Sequence, residues 1–560
     1  MTLKQIMHAS ASWQETAARK RQQDLAKIPT PWRLSPDVIE QAKQRRSIAD
    51  DFVDGLLDSD TRRITNLDVP ALMELTGNGS LSAVCLTTAF CKRAAYGHQL
   101  NHNLLEIGFD QATARAESLD AHWQAHRKPI GPLHGLPITM KDQFHINGMD
   151  TTMAYVGWIS PLKRQPQSQI VQELESLGAI VIAKSTLTQA LGAPETNNNI
   201  LGYHFNPRNQ QLSSGGSSGG EGAIQALRGS AIGIGSDNGG SVSIPAAFNG
   251  VYSIKPSPGR LSFLNVANPS PGQNNIPTVP GVLGSSVASL KYFLKSLASS
   301  QPWLHDPDVV PFPWKDDIQH NMPLSFGLMK FDGAVMPHPP ITRGLGMVAD
   351  ALRAAGHELI EWHPPAHSRA SAIQAALVNA NGGYEIFENL ALSREPLVPE
   401  LEEDYPDGKP NPPFSSIRVE KEAQRLHKYK LEYHHYWMST ANKTRTGRPV
   451  DAIILPVWGS AAIIPGKPSY GDYIGVSNVV NHTTMVIPIT RADMHLDKFD
   501  ENYSPINDED RDNWKSYDPQ VYHGTPVGIQ IECRRFEEEK LLDIGQIVVD
   551  ALSDWKSQSK

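Results

Sequence analysis

Cysteine is scarce in this 560-residue chain. Cys85, Cys91 and Cys533 are too few for a disulfide framework and lack the paired C-x-x-C spacing of a structural zinc site. A reducing compartment is the expected setting. Blocks of basic charge are absent too: 51 Lys and Arg against 59 Asp and Glu give a net charge of −8, which argues against nucleic acid as a partner. The first twenty residues, MTLKQIMHASASWQETAARK, hold no apolar stretch of the kind that opens a secretory signal, and the closing SQSK is not a peroxisomal SKL. The expected location is cytoplasmic. Long hydrophobic runs are missing as well, since the longest uncharged run, Leu261 to Leu290, is broken by Pro269, Pro271, Pro277 and Pro280. No membrane-spanning helix is expected.

What the chain does have is an apolar content ordinary for a folded protein, arranged in two alternating periodicities. Residues 1–75 are charged, with segments such as SIADDFVDGLLDSD spacing apolar residues three to four apart, and read as a helical extension. SLSAVCLTTAFCKRAAY and QATARAESLDAHWQAH then read as helices, and GPLHGLPITMKDQF as turns running into a short strand that ends at Lys141. A charged residue closing a strand is expected at an edge of the core. Helix, glycine and strand follow one another twice: Ile170, Leu174 and Leu177 share a helix face before Gly178 and an apolar strand, and Ile341, Leu345, Val348 and Leu352 do so before Gly356. With VDAIILPV and GTPVGIQIEC, the pattern predicts an α/β fold, a large sheet with helices on both faces. Ser393 to Phe414 and Met494 to Gln520 read as surface excursions.

Residues 213–260 are the most unusual stretch, SSGGSSGGEGAIQALRGSAIGIGSDNGGSVSIPAAFNGVYSIKPSPGR. A flexible linker would lack the apolar pieces AIQAL, AIGIG and SIPAAF. Glycines beside serines instead let backbone N–H groups converge on an anion or a developing oxyanion. A phosphate loop needs GxxxxGK before Ser or Thr, and no such string occurs. The dinucleotide fingerprint is only approached, because the glycine after Gly233 and Gly235 comes at Gly239, one position too far. The G-x-S-x-G elbow is formally matched by Gly215, Ser217 and Gly219, and again by Gly216, Ser218 and Gly220, but no apolar strand precedes it.

Taken from 131 to 260, the sequence resembles the amidase signature family. GGSSGGEGA at 215–223, GSDNGGS at 235–241, then PAAFNG and KPSPGR, follow that family's Gly/Ser signature nearly residue for residue. GPLHGLPITMKD is similar to its lysine motif, GMDTT at 148–152 to its GxxTT, and NPRN at 206–209 to the segment before the signature. The length and N-terminal extension resemble its acetamidase and fatty acid amide hydrolase branch.

The resemblance implies one α/β/α domain over 76–560 and a Ser–cisSer–Lys triad that hydrolyses amide C–N bonds through an acyl-enzyme, with no cofactor and no metal. Ser241 is the implied nucleophile, Ser217 the bridging serine after a cis peptide, and Lys141 the base, which must be neutral to accept a proton. The N–H groups of Asn238, Gly239, Gly240 and Ser241 form the implied oxyanion hole. Ser218 is expected to bond Lys141, and Asp237 to orient the loop. A small-molecule amide is the implied partner, and a homodimer is left open. A carbamate or ester hydrolase, an amidotransferase subunit and a non-hydrolytic homologue remain the alternatives.

Two departures stand out. The family commonly carries Arg two residues after the nucleophile, where this chain has Ser243, and Asp where it has Ser289. Loss of that arginine would remove an anchor for carboxylates and leave room near the nucleophile, which points to neutral, small or hydrophobic amides. Elsewhere the sequence offers weaker motifs. HELIE at 357–361 lacks the second His of a zinc-protease helix, His434 and His435 read as packing residues of an aromatic helix face, and Glu537 to Glu539 as the solvated start of the last helix.

Overall fold

The computed structural model describes residues 12–159, 165–316, 318, 320 and 322–558. Its centre is an eleven-stranded mixed sheet. In spatial order the strands are β1 (Leu104–Ile107), β3 (Ile180–Ser185), β2 (Pro137–Lys141), β4 (Ile232–Asp237), β6 (Val279–Gly284), β5 (Tyr252–Lys255), β10 (Thr483–Arg491), β11 (Pro526–Cys533), β9 (Ala452–Pro456), β7 (Ser325–Leu328) and β8 (Glu358–Glu361). Three-strand parallel groups, β3–β2–β4 and β9–β7–β8, flank an antiparallel centre. Most strands are buried along their whole length, as expected when helices cover both faces of a sheet.

Both helix–glycine–strand units form where the periodicity places them. Helix Gln169–Ser176 buries Ile170 and Leu174 and stops at Gly178, whose φ of +98° is open to glycine, before β3. Helix Pro339–Ala354 buries Ile341, Leu345, Val348 and Leu352 and stops before Gly356, at φ +85°, ahead of β8. HELIE is therefore mostly strand. At the N-terminal end, helix Trp13–Ala26 opens with a capping box between Ser12 and Glu15, and Lys20 and Lys27 both pair with Glu106 of β1. Ile64, Val69, Leu72 and Met73 from the helices that follow join the sheet's own core.

Several expectations need correction. Lys141 is not at an edge: β2 lies between β3 and β4, and the side chain has no exposed surface. Glu538 and Glu539 are buried rather than solvated, Glu539 pairing with Arg260 at 2.6 Å and Glu538 accepting Ser257 N at 2.8 Å. The buried face of helix Ser416–Ser439 is Tyr429, Tyr433 and Trp437, while His434 and His435 are exposed. Ser289 stands on helix Val287–Ala298, where its hydroxyl accepts Val69 N at 3.1 Å and so ties two helices together. Neither excursion is mere surface. Asp497, Asp510 and Asn513 are buried within the second, and within the first Glu395 accepts Val156 N at 2.6 Å while Leu401 is buried.

Candidate active site

The glycine–serine stretch folds as loop, helix Gly219–Ala226, strand β4, loop and helix Ser243–Asn249. Its glycines mostly provide space rather than unusual dihedrals. A Cβ on Gly220 would lie 2.5 Å from Thr186 O, one on Gly222 2.8 Å from Pro245 O, and one on Gly233 would collide with the Glu221 carboxylate. The first helix can therefore press directly onto β4. Positive φ is needed at Gly215 (+79°) and Gly240 (+110°), the residues that turn the chain into each serine loop. The Gly216–Ser217 peptide is cis.

These turns bring the two loops over the end of β2. Lys141 Nζ lies 2.7 Å from Ser217 Oγ and 3.1 Å from Ser236 Oγ. Ser218 N donates to Ser241 O at 3.2 Å, which ties the two serine loops together. The Ser218 hydroxyl does not reach the lysine and faces Ser236 O at 3.4 Å instead. Its place beside Lys141 is taken by Ser236, a residue the sequence reading passed over.

Hydrogen bonding around Ser236 fixes the direction of the protons. Gln143 Nε2 donates to Ala267 O at 2.9 Å, so its Oε1 is left to accept the Ser236 hydroxyl proton. With that proton committed, Ser236 Oγ accepts from Lys141. A neutral Lys141 has its nitrogen within hydrogen-bond distance of the Ser217 hydroxyl. Burial drives Lys141 toward that neutral form, lowering its pKa from 10.5 to about 7 against the opposing pull of Asp237 and Glu221. Glu221, wholly buried behind the lysine and bonded by Thr139 Oγ1 at 2.7 Å, is itself raised to about 7, with burial as the main cause.

Asp237 closes β4 and organises the next turn. One carboxylate oxygen accepts Gly240 N at 2.8 Å and Asn478 Nδ2 at 3.0 Å, and the other accepts Val242 N at 2.7 Å. The Gly240 N–H is thus already engaged. Of the four donors named from sequence, those of Asn238, Gly239 and Ser241 have no hydrogen-bond partner among the described residues.

Ser217, Ser236, Asn238, Gly239 and Ser241 all face one cavity of about 540 Å³. Its outer wall comes from far along the chain, from helix His367–Val378 and from Leu401, Asp404 and Tyr405 of the first excursion. Among the described residues lining it, the charged ones are Asp404 and Asp472. Ser243 does not contribute. It is fully buried at the start of its helix, with its hydroxyl unpartnered among the described residues, so the room expected there does not open toward the nucleophile.

The family model described as Amidase matches residues 85–542. The chain belongs to the amidase family. The enzyme is an amide hydrolase, similar over nearly its whole length to proteins of that activity. It is 39% identical to an acetamidase of Aspergillus oryzae over 549 residues, covering 96% of this chain and 98% of the relative. It is 36% identical to an acetamidase of Emericella nidulans, with 96% and 98% covered. Among solved structures, a fatty acid amide hydrolase superposes with a TM-score of 0.89 at 29% identity, covering 96% of this amidase and 94% of that chain. No helix among the described residues is long and apolar enough to cross a membrane.

Proposed function

We propose that this enzyme hydrolyses uncharged amides by a Ser241–Ser217–Lys141 relay. The observation that carries the reading is the 2.7 Å contact between a fully buried Lys141 and the Ser217 hydroxyl, on the floor of the cavity that Ser241 lines. Neutral Lys141 accepts the Ser217 proton as Ser217 takes that of Ser241, and Ser241 Oγ bonds to the amide carbon. The carbonyl oxygen becomes an oxyanion facing the N–H groups of Gly239 and Ser241, with Asn238 alongside. Fixed donors of this kind are worth roughly 3 to 4 kcal/mol each in comparable sites. Ser217 returns a proton to the nitrogen, the C–N bond breaks, and the amine leaves. Water then attacks the Ser241 ester through the same relay, releasing the acid and restoring Ser241.

Two features support the substrate class. The cavity far exceeds the needs of a two-carbon amide and lies in the range of sites for larger organic ligands. The described lining residues include no lysine, arginine or histidine, so a substrate carboxylate would meet Asp404 and Asp472 without a counter-ion. Three unpaired cysteines fit a cytosolic setting. The test is covalent labelling by a fluorophosphonate, with peptide mapping and turnover of a panel of amides, esters and carbamates. The label is expected on Ser241, with amides turned over, and Ser241→Ala should lose both label and turnover. A label on Ser217 or Ser218 in the wild type would defeat the assignment.

A further inference from the structure

We propose that Gln374, a residue far outside the glycine–serine stretch, is the positioning residue for the oxyanion-binding loop. The inference rests on the serine-relay reading above. Gln374 projects from helix His367–Val378 into the cavity wall, and its Nε2 donates to Asn238 O at 2.5 Å. Because a trans peptide is planar, its C=O and the following N–H point in opposite directions. Holding Asn238 O toward the helix therefore holds Gly239 N–H on the opposite side of that peptide.

The loop needs such a hold. Gly239 and Gly240 have no side chains to lock their peptides, and rotation of the Asn238–Gly239 unit would turn a donor into a carbonyl at the place where negative charge develops. Asp237 fixes Gly240 and Val242 but makes no bond to the peptide between Asn238 and Gly239. The Asn238 side chain is directed elsewhere, with Nδ2 donating to Ile276 O at 2.6 Å. Gln374 is thus the side chain that holds this peptide's carbonyl.

Its seat is made to fit. A Cβ added to Gly239 would lie 3.0 Å from Gln374 Nε2, and one added to Gly475, on helix Asp472–Val479, would collide with Gln374 Oε1. The amide is clamped between two glycines, one in the loop and one in the neighbouring helix. At the residue just before Asn238, Asn478 of that same helix braces the Asp237 carboxylate at 3.0 Å. Two helices outside the signature therefore hold adjacent residues where the loop leaves β4.

The experiment compares full-length wild type, Gln374→Ala, Gln374→Met and Gly475→Ala on one uncharged amide. If Gln374 positions the loop, kcat falls about ten- to a hundredfold in each Gln374 variant, KM stays within about threefold, and the melting temperature stays close to the wild-type value. Gly475→Ala, which displaces the amide without removing it, should lower kcat in the same way. Combined with Gln374→Ala it should add almost nothing, the signature of two changes acting through one contact. A rise in KM with kcat preserved would make Gln374 a substrate contact and overturn the proposal, as would additive losses in the double variant. Ser241→Ala separates the two readings: turnover surviving there defeats the serine relay, whereas its loss together with full kcat in Gln374→Ala defeats only the role of Gln374.

Discussion

A lysine without exposed surface titrates unlike a lysine in water, and the chemistry proposed for Lys141 depends on the difference. Burial favours the neutral amine and lowers the pKa to about 7, so the base is available at neutral pH and is lost to protonation below it. Turnover is expected to rise through a limb near pH 7 and hold at alkaline pH, measured as kcat/KM across a pH series. Lys141→Ala should lower it by several orders of magnitude, and Lys141→Arg should not restore it, because guanidinium does not deprotonate in proteins. Glu221 pulls the other way, its carboxylate favouring the ammonium form. Glu221→Gln is accordingly expected to move the limb to lower pH, and an unchanged limb would show that the carboxylate is not felt at the amine. At this scale the sequence singled out Ser217, Ser241 and Lys141 because they sit in motifs that resemble known ones. Ser236 and Gln143 were not visible, since a serine beside an aspartate and a glutamine beside a strand end carry no pattern. Only folding brings them to the lysine, where Ser236 occupies the position expected for Ser218.

Elements in the site owe their spacing to missing side chains. Helix Gly219–Ala226 presses onto β4 and onto the segment after β3, and a methyl on Gly220 would meet backbone N and O of Thr186 at 2.6 and 2.5 Å. Backbone cannot swing aside, so Gly220→Ala should cost about 1 to 3 kcal/mol, read by thermal unfolding. Gly346 is the contrast. It lies inside helix Pro339–Ala354 with nothing within 4 Å of an added Cβ, and Gly346→Ala should stabilise by up to about 1 kcal/mol. A loss at Gly346 equal to that at Gly220 would contradict the packing argument. The helix–glycine–strand units were legible because their periodicity and stop signals are local. The helices His367–Val378 and Asp472–Val479 were not singled out in the sequence, and their Gln374 and Asn478 have meaning only against a loop 136 and 241 residues away.

Across the whole molecule, the floor that carries the proposed relay and the outer wall of the cavity come from different parts of the chain. The first excursion was read as surface because Ser393 to Phe414 is rich in Pro and acidic residues, yet Leu401, Asp404 and Tyr405 line the cavity. With Asp404 and Asp472 as the charged lining residues described, an uncharged amide should be preferred over its carboxylate analogue. Asp404→Lys, at an exposed part of that wall, is expected to shift the ratio of the two kcat/KM values toward the carboxylate by about an order of magnitude. An unmoved ratio would mean that this charge does not reach the substrate. The wall is joined to the body by polar and apolar contacts together: Glu395 takes Val156 N and Asn199 Nδ2, Glu400 takes Asn197 Nδ2, and Val398 and Leu401 are buried in a cluster with Met153, Tyr155 and Ala193. Such an attachment makes the segment a natural cassette. A library that keeps Glu395, Val398, Glu400 and Leu401 and randomises the exposed residues around them would alter which acyl groups are admitted without touching the residues of the proposed relay, so selectivity could be evolved here with little risk to the fold.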